Sequence, residues 1–152
     1  MNRFAKFVVV LGAAAVGATA AAAADDPVKV RKELMKSVGK STKLAAQMVK
    51  GKVAFDGGKA AEAMMTIAAV PDKYVTLFPE GTDMKNNPDS EASPKIWTDM
   101  AGFKKAADKL KADSTAAAEA AKKGEADFKA AFGALVKNCK SCHEGYRVKK
   151  QQ

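Results

Sequence analysis

Cys139-Lys140-Ser141-Cys142-His143 gathers both cysteines and the only histidine of the chain into five consecutive residues. Two thiols spaced C-x-x-C with a histidine next to them form the attachment signature of c-type haem. The sulfurs add across the vinyl groups and the imidazole ligates iron. Two other chemistries use the same atoms. A thioredoxin-like dithiol requires strand–helix surroundings, and no alternating strand pattern surrounds this motif. A structural zinc ion requires a closed four-ligand shell, and here three ligands stand without a second cluster. The expected cofactor is therefore one covalently attached haem c, held by Cys139 and Cys142, with His143 as the proximal axial ligand.

The motif imposes a shape. On a helix, Cys139 and Cys142 are i and i+3, and His143 is i+4 from Cys139, so all three project from one side. The residues before them supply such helices. Arg3 and Lys6 followed by an apolar Ala/Gly/Val run and Ala22-Ala23-Ala24 read as a cleaved secretory signal over 1–24. The run, from Phe7 to about Ala24, is barely long enough for a membrane anchor and is mostly alanine and glycine, which argues for removal. The remaining residues, 25–152, suffice for one domain with one core. Removing Arg3 and Lys6 from the 26 basic residues and setting the rest against 17 acidic ones leaves +7. That charge is spread over lysines in every segment, which predicts steering toward an acidic partner. Nucleic-acid binding is disfavoured, because no basic cluster is interleaved with aromatics.

Within 25–152 the punctuation predicts four amphipathic helices. The first covers 27–50, capped by Asp26, with Pro27 at its first position and Gly51 at its end. The second starts after Asp56, is interrupted at Pro71, and closes at Leu77-Phe78-Pro79. Residues 80–92 form a polar crossover. The third runs from Ser93-Pro94 to Lys123, and the fourth from Glu125 to Arg147, across Gly124. The fold class is all-α: an antiparallel four-helix bundle with the covalent haem near the C-terminal end of helix four.

In that topology the start of helix one faces the end of helix four, and Met35 stands there as a candidate distal ligand. Met48 lies 13 residues further on, about 20 Å along the axis, and is too far. Met64 and Met65 are mid-helix, while Met100, early in helix three, competes with Met35 on geometry. Outside the signal the chain has only two arginines, Arg31 and Arg147, and both fall at this end. A guanidinium suits a haem propionate better than an ammonium does, which makes both candidates for the haem edge.

The chain resembles the class II c-type cytochromes, meaning cytochrome c′ and its low-spin, methionine-ligated relatives. The resemblance is carried by the motif with Tyr146-Arg147 after it, by Arg31-Lys32-x-Leu34-Met35, by Leu77-Phe78-Pro79, and by Ser93-Pro94-Lys95-Ile96-Trp97. It implies a periplasmic four-helix bundle, with Arg31 near a propionate, Arg147 near the proximal face, and Met35 rather than Met100 over the distal face. It leaves two functions open. A sixth-ligand Met35 makes an electron carrier serving a redox partner protein, and a shielded open site takes small gases such as NO or CO. A peroxidase-like enzyme is disfavoured, because no distal histidine and no acid–base pair are present. Family members often dimerise through their first two helices; a homodimer is open to this chain, although its exposed faces are lysine-rich.

Overall fold

The structure, a computed structural model, describes residues 26–149; the leader expected over 1–24 lies outside the described residues. Among the described residues six helices occur in the order α1 (Pro27–Val49), α2 (Gly57–Ala68), α3 (Pro71–Tyr74), α4 (Lys95–Thr98), α5 (Met100–Lys123) and α6 (Glu125–Tyr146). The four longer ones, α1, α2, α5 and α6, make a four-helix bundle.

Local chemistry sets the ends. The Asp26 side chain accepts from Val28 N and Asp56 accepts from Lys59 N, each satisfying an amide that the first turn leaves orphaned. Gly51 follows the end of α1 at φ 66°, a conformation that glycine adopts without penalty. The second predicted helix stops at Ala68, and Pro71 opens the single turn α3. The third predicted helix is not continuous from Ser93. It breaks at Asp99, whose carboxylate accepts from Gly102 N and so caps a new helix, α5.

Contacts between ends give the up-down-up-down directions. Phe55, just before α2, packs on Phe128 early in α6, with ring centroids 5.7 Å apart, so α2 and α6 start at the same end, whereas α5 runs opposite to both. Gly57 at the start of α2 lies so close to the end of α5 that an added Cβ would come within 2.6 Å of the Ala121 carbonyl oxygen. At the opposite end of the bundle, Tyr146 donates its hydroxyl proton to Asp99 Oδ2 at 2.8 Å, tying the end of α6 to the start of α5.

The main core gathers Val38, Met48, Met64, Ile67, Phe128, Phe132 and Leu135 around the small residues Ala117, Ala118 and Ala121 of α5. The alanines let α2 and α6 approach α5 closely, and each fully buried Phe or Leu contributes about 1.5–3 kcal/mol. A second cluster of Phe78, Ala92, Ile96 and Phe103, with Tyr74, Trp97, Met100 and Tyr146 against it, fills the other end. Met100 is thus a packing residue of that cluster. The crossover 80–92 is also more structured than its polarity suggests. Buried Asp83 accepts from Lys85 N and Asn86 N, and the loop's last residue, Ala92, bridges to Arg147.

One pairing is weak. The sequence α1 on α2, α2 on α5 and α5 on α6 is well packed, whereas α1 and α6 touch at few points.

Two glycine substitutions should move stability in opposite directions. A Cβ on Gly133 would meet nothing within 4 Å, so Gly133→Ala should stabilise by about 0.5–1 kcal/mol through helix propensity. A Cβ on Gly102 would lie 2.5 Å from both Asp99 Oδ2 and the Tyr146 hydroxyl, so Gly102→Ala should cost about 1–3 kcal/mol in urea melts.

Candidate haem site

The space left between α1 and α6 is a cavity of about 690 Å³, inside the range of roughly 300–1,000 Å³ that cofactor sites occupy. Cys139, Cys142 and His143 line it from α6, and Arg31 and Met35 line it from α1. Val70, Phe78, Ile96, Phe103 and Leu110 supply apolar walls, and Arg147 stands at the end of α6. All six residues singled out from the sequence therefore border one space. Met35 is the one methionine among the lining residues; Met48 and Met64 are buried in the main core and Met65 is half exposed on the surface.

Both cysteines are unpaired and partly buried. Burial pushes their thiols upward in pKa, so both are neutral at pH 7. His143 keeps an exposed edge, yet the desolvation imposed by its surroundings lowers its pKa, with Arg147 adding to the effect and Glu91 opposing it. A neutral imidazole is the form that ligates metal.

Tyr74 also lines the cavity, and burial pushes its phenol up to about 12 against the opposing pull of Arg31. In the same lining Asn138 is buried, with an amide nitrogen that has no hydrogen-bond partner.

The two arginines have specific partners. Arg31 is 5% exposed and fastens α1 to the crossover: it donates to Thr82 Oγ1 at 3.2 Å, to the Thr82 carbonyl at 2.8 Å and to Ser90 Oγ at 3.2 Å. Its guanidinium also lies 4.4 Å from the centre of the Phe78 ring. Arg147 pairs with Glu91, and Val148 N donates to the Glu91 carbonyl at 2.9 Å. Glu91, Thr82, Ser90, Tyr74 and Asn138 were not singled out as site residues from sequence; Tyr74 alone carried a signal, its place in an apolar stripe.

The donor set suits a haem. Two free neutral thiols one helical turn apart, a neutral imidazole on the same helix and a soft thioether on the facing one surround an apolar, cofactor-sized space. The fold and cavity thus define a haem-binding four-helix bundle.

Comparisons narrow the class. Residues 26–147 match the family model described as Cytochrome C′. A solved cytochrome c′ from Rhodopseudomonas palustris is 40% identical, covers 84% of this chain and all of its own, and superposes with a TM-score of 0.77. A cytochrome c-556 of Agrobacterium tumefaciens is 32% identical over 117 residues, which span 77% of this chain and 90% of that protein. A ferrous variant of cytochrome c′ from Alcaligenes xylosoxidans, solved with bound NO, is 25% identical over 82% of this chain and 95% of its own, with a TM-score of 0.72. The chain belongs to the cytochrome c′ family and is a monohaem cytochrome with covalently attached haem c.

Two outcomes test the anchoring. Arg31→Lys cannot reproduce the fork on Thr82 and Ser90 or the stacking on Phe78, and should cost about 2–3 kcal/mol and open 80–92 to limited proteolysis. Asp99 has a lowered pKa, chiefly because Tyr146 donates to it, so its contribution is present above the ordinary carboxylate range and is lost as pH falls through the folded value. Asp99→Asn should therefore show a flatter dependence of stability on pH below about pH 5 in urea melts at stepped pH.

Proposed function

We propose that the protein is a periplasmic electron carrier with a low-spin, six-coordinate iron. Cys139 and Cys142 hold the haem as thioethers, His143 is the proximal ligand from α6, and Met35 is the distal ligand from α1. The observation that carries this reading is that Met35, alone among the methionines of the described residues, lines the cavity that His143 lines from the facing helix. Bound haem supplies a one-electron ferric–ferrous couple.

The residues' part is to keep the surroundings of that couple fixed. The cysteines anchor it to the well-packed helix α6, and the Arg31 contacts hold the turn of α1 that carries Met35. A thioether ligand raises the reduction potential. Arg31 and Arg147 serve the haem edge from either helix, although each is already engaged with a loop partner. The leader over 1–24 directs export, and among the described residues no helix is long and apolar enough to cross a membrane. Relatives named cytochrome c-556 support the carrier reading.

A second reading is favoured by the NO-bound relative: Met35 covers an open sixth position, and the protein binds small gases. Optical spectra separate the two. The ferric wild type should be low-spin and Met35→Ala high-spin, with CO binding to ferrous protein fast only in the variant. A high-spin spectrum unchanged between the two proteins, with fast CO binding in both, would overturn ligation by Met35 and assign the gas-binding function. Changing Cys139 and Cys142 together to Ala should abolish haem staining on denaturing gels.

A further inference from the structure

The charge around the cavity mouth is one-sided. Along α1, Lys32, Lys36 and Lys43 all line the cavity, and all three are exposed. They are spaced i, i+4 and i+11, so they fall within about 40° of one another around the helix and span roughly 16 Å of its length. None has an acidic partner within ion-pair distance among the described residues. Three lysines at the other end of the bundle, Lys59, Lys122 and Lys129, are paired with Asp56, Glu119 and Glu125 and line no part of the cavity. The one acidic residue in the cavity lining, Glu91, is already taken by Arg147. Gly39 sits within the lysine stripe with nothing within 4 Å of where its Cβ would be, which leaves a notch in the wall.

We propose that this lysine-edged mouth between α1 and α6 is the docking face for the acidic surface of a redox partner protein. The three ammonium groups outnumber the two propionates a haem carries, and Arg31 is already fastened to the crossover, so the mouth keeps a positive excess with the cofactor in place. Charges set around a low-dielectric opening concentrate field there, which raises encounter rates with anions by about 10-fold or more at low salt. Electrons then enter and leave through the opening where the packing between α1 and α6 is thinnest. The partner's nature rests on the electron-carrier reading, and the position of the charged face does not.

The test uses holoprotein and two triple variants that each remove three charges. One is Lys32→Gln/Lys36→Gln/Lys43→Gln at the mouth, and the other is Lys59→Gln/Lys122→Gln/Lys129→Gln at the far end. Stopped-flow mixing follows one electron passing from ferrous protein to hexacyanoferrate(III), which yields ferric protein and hexacyanoferrate(II). The mouth variant should react about 5- to 10-fold more slowly at low salt, with a flattened ionic-strength dependence, and the far-end variant should stay close to wild type. With the cationic oxidant tris(phenanthroline)cobalt(III), the mouth variant should gain rate. Equal losses in both variants would mean that only net charge matters and would overturn the proposal.

Carbodiimide cross-linking of wild-type holoprotein to poly-glutamate, followed by peptide mapping, reads the macromolecular contact directly. Cross-links concentrated at Lys32, Lys36 and Lys43 are expected, and an even spread over the surface lysines would overturn it. Mouth-dependent binding to phosphatidylglycerol vesicles without those cross-links would assign the face to lipid and also overturn it. A high-spin, CO-binding wild type would reject the carrier reading while leaving the rate and cross-linking results to be judged on their own.

Discussion

Four helices in a ring bury most apolar surface when the first packs on the last. Here α1 and α6 are kept apart, and the arrangement of this end of the bundle depends on that separation. The core built on Phe128, Met64 and Leu135 ties α2, α5 and α6 together without needing the missing contact. What holds the gap open is a set of long-range polar ties. Arg31 joins α1 to the crossover, Tyr146 joins α6 to Asp99, and the bridge between Ala92 and Arg147 closes the crossover against the end of α6. These contacts are buried or partly buried, where losing one partner leaves a desolvated group unsatisfied. The geometry of the opening is therefore fixed by hydrogen bonds, while the rest of the bundle is fixed by packing.

The same division shows in the electrostatics. Apolar walls give the cavity a low dielectric, which keeps His143 and both thiols neutral and pushes Tyr74 up to about 12. Apart from buried Arg31, which is fastened to the crossover, the cations of the lining are exposed at its edge, and the one carboxylate in the lining is paired with Arg147. A neutral interior beneath a charged margin is the setting in which an embedded cofactor is insulated from water and still reachable by a charged visitor.

Much of this was legible in the sequence because it is local or periodic. The spacing of Cys139, Cys142 and His143 forces them onto one side of a helix, and bundle topology then singles out the start of the first helix, where Met35 lies. Asp26, Asp56, Gly51 and Gly124 mark ends that the structure reproduces within a residue or so. The break at Asp99 was hidden by Ser93-Pro94, an equally good start signal six residues earlier; both are used, Ser93 accepting from Lys95 N at the start of α4 and Asp99 capping α5 with a tie from Tyr146. The partners of Arg31 and Arg147 were out of reach for another reason. Thr82, Ser90 and Glu91 lie more than fifty residues away in sequence or across the fold, in a loop with no periodicity to place its side chains. A haem-edge role for arginine could be argued from residue type, but its commitment to a loop could not.

Because α1 shares so little surface with α6, its attachment rests on α2 along one side and on the Arg31 contacts near its start. Such one-sided attachment places α1 toward the low end of local stability, where opening is expected first. Residues of both walls line the cavity, so haem held by Cys139 and Cys142 would tie α1 to the other three helices, and the last increment of cooperativity in this fold would come from a group that the polypeptide does not encode.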